Sequence, residues 1–440
     1  VYYGTFPITS RKLHQKYGPV VRIAPNEYSI DDPNAAKVIY GSGNGYIKSP
    51  WYEASGNPMN PLPSLFDERN PRLHSAIRRK VSAAYSMSSL VQSESFVDDC
   101  TSLFQQRLSE FAQTGELVDL THWYQCYAFD VIGNITFGNR FGFLDKGKDI
   151  QGIMASISGF LKYAARVGIF PEWHKYLFKL FIRSKNLNGM AHVRSFANEN
   201  LEAHYTKLIQ EMDPSKISKD EIALTCSTNI GAGSDTTSIS LSATLYFLTL
   251  YPETLRKLHG EIGDMEAQNS LSNPVTFQES RSMPYLQTVI KEALRLHPAT
   301  GLILGRVVPK GGTSLNGTWF PERSVVGVNP WVAHINTEIF GVDASEFRPE
   351  RWLGDPEVVK KRESYFMSFW MGSRTCIGIN ISVMELSKIV PQLVRAFGFV
   401  PENGIPEWNT ENVWFVKPKD FECRIKPHDG ACIRKEGKKR

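Results

Sequence analysis

The run from Ile222 to Tyr251 carries a single charged residue, Asp235. A stretch so long and so weakly charged belongs either in a bilayer or in a protein core. Its centre reads Asn229-Ile-Gly-Ala-Gly-Ser-Asp-Thr-Thr, too polar and too glycine-rich for lipid. A long buried helix is therefore expected. Ser218-Lys-Asp-Glu221 just ahead of it is a capping box, in which Ser218 bonds the third amide and Glu221 reaches back. Pro252 then opens another helical segment. Burying such a helix requires a large core. A chain of 440 residues, 42% apolar and 22% charged, can build one large enough to enclose a cofactor.

The rest of the chain surrounds that helix. Val20–Ile23 and Tyr28–Ile30 look like strands joined at Pro25-Asn26, and Asp32-Pro33 opens a helix. Pro50–Pro63 reads as a long loop. Helical patterns dominate from Arg72 to about Glu211. A further helix covers Tyr285–Leu296 and stops before Pro298. Strand-like pieces follow at Leu302–Val308 and Val325–Val328, Phe340–Leu353 is irregular, and a last helix begins near Gly378. Neither repeat nor linker interrupts residues 1–440. The expected fold is one large domain, mainly α with a minor β portion.

Composition removes several classes of function. A net charge of +5 is too mild to argue for nucleic acid. The basic end Arg434–Arg440 reads as a solvated tail. Six cysteines, at 100, 126, 226, 376, 423 and 432, include no Cys-x-x-Cys pair, so neither a disulfide framework nor a zinc site is indicated. A reducing compartment is expected, and the sequons at Asn134, Asn316 and Asn380 read as chance matches. Val1 opens neither a signal peptide nor a methionine start, and a missing N-terminal segment is expected.

One cysteine stands apart. Phe369-Trp-Met-Gly-Ser-Arg-Thr-Cys-Ile-Gly378 places Cys376 between two glycines, after Arg374 and before an apolar periodic segment. A thiolate can hold haem iron, and its electron donation favours O–O cleavage. A cation and a helix N-terminus lower a thiol's pKa; Arg374 and the following helix are expected to supply both. Gly372 and Gly378 would allow close approach of backbone and porphyrin.

The loop resembles the haem-binding signature of the cytochrome P450 family, Phe-x-x-Gly-x-Arg-x-Cys-x-Gly, at every fixed position. The resemblance makes Cys376 the metal ligand, with Phe369, Gly372, Arg374, Ile377 and Gly378 around the cofactor, haem b. Three further matches lie upstream in the family's order. Glu292-Ala-Leu-Arg295 resembles the family's Glu-x-x-Arg, a pair sharing one helical face. Arg351 in Pro349-Glu-Arg-Trp352 would be its third member, with Trp352 where the family usually has Phe. These three imply a structural network that braces the cysteine loop. Ala232-Gly233-Ser234-Asp235-Thr236-Thr237 reads on its own as a kink in a core helix. It also resembles the family's oxygen-activation motif, which implies Asp235 and Thr236 as the proton-delivery pair and Ala232 and Gly233 against the haem. His74-x-x-x-Arg78 stands where Trp-x-x-x-Arg is usual; with Arg306 and Arg374 it would bind the propionates. Tyr127–Gly133 and Phe141–Asp145 resemble fungal pisatin demethylase-like members.

The resemblance implies a triangular P450 fold and a monooxygenase inserting one oxygen atom from O2 into a hydrophobic or aromatic small molecule, in fungal secondary metabolism or detoxification. Electrons would come from NADPH through a flavoprotein reductase, with cytochrome b5 as an alternative donor. The reductase would approach positive charge at Arg78, Arg79 and Lys80. An N-terminal anchor would hold the full protein at the cytosolic face of the endoplasmic reticulum membrane. The substrate chamber is expected from Trp51–Phe66, residues 155–180, Ile230–Thr236, Gly301–Leu304 and Val413–Phe415. A haem-thiolate cyclase, isomerase or dehydratase is the alternative, and Thr236 favours oxygenation. Asp235 and Thr236 also argue against a non-catalytic haem sensor. A cysteine-nucleophile hydrolase is remote, because no histidine has a motif context near Cys376.

Overall fold

The computed structural model describes residues 4–59, 62–182, 189–203, 217–402, 404 and 408–428. The basic tail, Cys432 and the end of the helical stretch read to Glu211 lie outside the described residues.

A single helix, Lys219–Leu250, forms the spine. Its capping box is present: Glu221 N donates to Ser218 Oγ at 3.2 Å, and Ser218 N donates to Glu221 Oε2 at 2.8 Å. The helix runs unbroken through its polar centre. Its hydroxyls explain how such a sequence is buried. Those of Thr225, Thr228, Thr236, Ser240 and Thr244 each donate to the carbonyl four residues back, at 2.7 to 2.8 Å. Ser227 and Ser234 do the same. The helix thus satisfies these hydroxyls itself and needs no partner from a neighbour.

The spine packs along the helix Leu120–Phe137, buried almost throughout its second half, and against the helices Pro284–Leu296 and Ile379–Ala396. Gly233 lets the first pair approach, since a Cβ there would come within 3.1 Å of Ile132. The stretches Tyr127–Gly133 and Phe141–Asp145 meet in space. Asp130 accepts from the amides of Gly142, Phe143 and Leu144, and Gly133 leaves room for the Phe141 ring.

The β portion is small. Its main sheet has the order Val20–Ala24, Glu27–Ile30, Val325–Gly327, Arg306–Val307, Ile47–Lys48. Only the second and third strands pair in parallel. The expected strand Leu302–Val308 shrinks to Arg306–Val307, because its edge partner is two residues long. That register sets Lys48 opposite Arg306. Within the expected loop Pro50–Pro63, Pro50–Ser55 coils into a 3-10 helix with proline at its first position.

Candidate active site

Glu292 and Arg295, one helical turn apart, are both fully buried. Arg295 donates Nε and Nη2 to the two Glu292 oxygens at 2.8 and 2.7 Å, a bidentate pair. Arg351 donates Nε to Glu292 Oε1 at 2.7 Å. Arg348 N adds a fourth donor at 3.0 Å and Trp352 Nε1 a fifth at 2.9 Å. Trp352 thus makes a bond that phenylalanine cannot. The network reaches the cysteine loop through His334, whose Nδ1 lies 2.7 Å from Arg295 O and whose Nε2 accepts from Met367 N at 2.8 Å. Burial and nearby arginines hold His334 down to about 3, so the ring is neutral. Ser368 Oγ adds a bond to Leu294 O.

The loop itself is tightly shaped. Gly372 has φ of +66°, and a Cβ there would lie 1.9 Å from Tyr40 O, so only glycine fits. Trp370 also takes a left-handed φ of 67°, a strained conformation; its ring packs on Phe66 with centroids 5.7 Å apart. Cys376 N donates to Phe369 O at 2.9 Å, and the last helix starts at Ile379. The expectation for the thiol needs correction. Cys376 is open to an internal cavity and otherwise surrounded by protein. Burial therefore pushes its pKa up, against smaller downward pulls from the Gly378 amide and Arg78. Arg374 is not the cation that acts on it, because that guanidinium points away to Glu68 O at 2.8 Å and Arg69 O at 3.4 Å.

The cavity measures about 440 Å³ and lies between the loop and the spine helix. Phe369, Arg374, Ile377 and Gly378 border it on one side, Ala232, Gly233 and Thr236 on the other; Gly372, expected there, instead faces Tyr40 O and does not line the cavity. His74, Arg78 and Arg374 also reach it. Arg78 Nη1 donates to Thr375 O at 2.8 Å, tying its helix to the cysteine loop. His74 is driven down to about 3 by burial and then by Arg374, Lys48, Arg78 and Arg306. Arg306 stands behind the wall: Nη1 donates to Gly305 O and Leu304 O, and its guanidinium lies over the Tyr40 and Tyr52 rings. Lys48, which no motif marked, lines the cavity instead.

Asp235 and Thr236 diverge. Thr236 lines the cavity, with its hydroxyl on Ala232 O at 2.7 Å. Asp235 is 1% exposed and turns away, accepting from Gln125 Nε2 at 2.6 Å and pairing with Lys417 Nζ at 2.7 Å. Lys417, on the strand Val416–Pro418, is partly exposed.

Two other expectations change. Of the three cations assigned to a surface patch, only Arg79 faces outward, since Arg78 turns to the loop and Lys80 pairs with Glu221 at 2.6 Å. Residues 155–180 do not line the cavity. Ala164 and Ala165 pack on Trp414, with Trp51 beside them, and these rings stand between that helix and the chamber. Gly301–Leu304 and Val413 are likewise set back; Ala299, Thr300, Trp414 and Phe415 take their place.

The donor set fits an iron porphyrin. A sulfur opens on the cavity, the small residues Ala232 and Gly233 of the spine helix border it, and Lys48, Arg78 and Arg374 line it as cations for a porphyrin's two carboxylates. The cytochrome P450 family model matches residues 7–423, and the chain belongs to that family. It is 39% identical to a pisatin demethylase of Fusarium vanettenii, over 96% of this chain and 84% of the relative. It is 36% identical to the cytochrome P450 monooxygenase cicH of Emericella nidulans, over 96% and 88%, and 37% identical to a cytochrome P450 monooxygenase of Aspergillus terreus, over 88% and 83%. The protein is thus an oxidoreductase of the P450 monooxygenase class, with fungal relatives. Thiolate-ligated haem iron, a reductase partner, O2 and a small-molecule substrate come with the family. Among the described residues, no helix is long and apolar enough to cross a membrane.

Proposed function

We propose that this chain carries haem b on Cys376 and inserts one oxygen atom from O2 into a hydrophobic, aromatic small molecule in fungal secondary metabolism. The observation that carries this reading is one cavity bordered by Cys376, by Thr236 and by the rings of Phe66, Trp370, Trp414 and Phe415. Apolar, aromatic walls of this kind suit a flat hydrophobic ligand. Haem bound there would supply the reduction and cleavage of O2, which thiolate donation favours.

The chain's own residues would do the rest. Cys376 holds the iron, on a loop fixed by Glu292, Arg295 and Arg351 through His334. Phe369, Ile377, Gly378, Ala232 and Gly233 shape the faces of the cofactor's slot. Arg78, Arg306 and Arg374 provide positive charge for its carboxylates, and His74, held neutral among them, offers a ring N–H. Thr236 holds a proton at Oγ1 on the cavity surface. Asp235 is buried, and its pair with the partly exposed Lys417 gives it a route to solvent protons. In this reading a proton passes from the surface at Lys417 to Asp235, which must leave Gln125 and Lys417 to hand it to the Thr236 side of the chamber. An NADPH-dependent flavoprotein reductase, or cytochrome b5, supplies electrons at the cytosolic face of the endoplasmic reticulum membrane; the support for this is the family likeness.

The reduced protein with carbon monoxide tests the ligand. Its Soret band should be red-shifted, and Cys376→Ser should abolish that band while haem-free protein still expresses. A band that survives the substitution would mean another ligand. Difference spectra against a panel of aromatic and aliphatic small molecules test the substrate class; preference for the aliphatic set would overturn it.

A further inference from the structure

Among the described residues, Lys48 is a buried lysine that makes no ion pair. It ends the edge strand opposite Arg306 and is 2% exposed. Its Nζ lies 4.8 Å from the centroid of the Tyr52 ring and 5.0 Å from that of Phe66. It donates to the carbonyls of Leu65, at 3.3 Å, and Phe66. An ammonium has three donors and no acceptor, so one N–H is left over beside the cavity that Lys48 lines.

The surroundings are positive. Arg374 and Arg306 act on Lys48, and with burial they hold its pKa well below the ordinary lysine range; Asp67 and Glu68 only partly offset them. Among the described residues, the hydrogen bonds of Lys48, Arg78, Arg306 and Arg374 go to uncharged oxygens. Buried like charges are costly unless opposite charge arrives. The remaining source is whatever fills the cavity, and haem brings two carboxylates.

We propose that Lys48 holds a haem carboxylate with its third N–H while its other two fix the Leu65–Phe66 backbone. Seating the cofactor then also fixes Phe66, whose ring contacts Trp370 and Trp414 in the wall of the substrate chamber. The assignment rests on the haem-thiolate reading and adds a residue to it. A strut without the carboxylate contact would hold the Phe66 segment equally well whatever the porphyrin's side groups, and this difference can be measured.

The experiment compares haem loss to excess apomyoglobin from wild type, Lys48→Met and Lys48→Arg. Each is reconstituted with haem or with haem dimethyl ester, whose carboxylates are capped. With native haem, Lys48→Met should lose haem on the order of tenfold faster, as for a lost charge-assisted bond, and Lys48→Arg should stay near wild type. With the dimethyl ester, the gap between Lys48→Met and wild type should shrink to what the lost backbone bonds alone cause. Equal rates with native haem would overturn the proposal, as would an equal acceleration with both haems, the mark of a strut alone. If Lys48→Met yields no holoprotein, Lys48→Gln, which keeps a donor without the charge, replaces it. Absence of the red-shifted carbon monoxide band in wild type would overturn the haem-thiolate reading itself. Its presence with unchanged haem transfer would overturn only the assignment of Lys48.

Discussion

Trp352→Phe restores the residue usual in the family and removes one atom group of interest, the indole N–H that donates to Glu292 Oε2 at 2.9 Å. The ring's other contacts survive in phenylalanine: edge packing on Phe340 and Phe366, and Lys291 Nζ over the face. A hydrogen bond to a charged acceptor contributes about 1.5–3 kcal/mol. Glu292 keeps four donors, from Arg295 twice, Arg351 and Arg348 N. The carboxylate is therefore not stranded, and the loss belongs at the low end of that range, about 1.5–2 kcal/mol. Glu292→Gln should cost more, about 3–5 kcal/mol, because it leaves two buried guanidinium groups without their carboxylate. Urea titration of haem-loaded protein, followed through the red-shifted band of the reduced carbon monoxide complex, compares the three. A Trp352→Phe protein whose midpoint matches wild type would refute the view that this tryptophan is part of the ionic network.

Thr236→Ala should divert reducing equivalents to hydrogen peroxide; unchanged coupling of product to NADPH would count against its role. Lys417→Met should slow product formation by roughly a hundredfold if Asp235 exchanges protons through it, as loss of a general acid–base partner does, and a wild-type rate would remove that route. His297 is buried and held down to about 4, whereas an unfolded histidine titrates near 6.5. Between those values the unfolded chain binds the extra proton, so stability present above pH 6.5 is lost as pH falls, by about 2 kcal/mol at pH 5. Buried carboxyls with raised pKa, such as Glu385, tilt stability the other way. The comparison that isolates His297 is therefore urea unfolding of wild type and His297→Gln at pH 5.0 and 7.5; the variant should show the flatter slope, and equal slopes would sink the assignment.

Features written in short, local patterns were legible. The cysteine loop, the capping box at Ser218 and the Glu292–Arg295 pair each depend on residues within one or two turns. Arg351 is legible only through its own local box, Pro349-Glu-Arg-Trp352. What escaped arises from pairings between distant segments. Lys48 belongs to the site because a two-residue strand sets it opposite Arg306, and nothing around it in sequence shows that register. Gln125 and Lys417 converge on Asp235 from a packed helix and a late strand. The spine helix meets the cavity with the pairs 224/225, 228/229, 232/233 and 236/237, a four-residue spacing that leaves Asp235 on another face. The thiol's raised pKa escapes the sequence because burial, its main cause, comes from distant segments, and Arg374, two residues away in the chain, points elsewhere. The chamber wall at residues 155–180 failed for a related reason: apolar residues there meet Trp51 and Trp414 first.

The spine helix has a consequence for how the chamber can change. Thr225, Thr228 and Ser240 all border the cavity, yet their hydroxyl protons are committed to their own helix. For the threonines this leaves a methyl group free to meet a ligand, so the wall is greasier than its letters suggest. Such a residue can be exchanged for valine or alanine without stranding a donor or acceptor on any neighbouring element. The positions facing the ligand are thereby uncoupled from those that hold the fold, and the shape of the chamber can drift while the haem loop keeps its brace.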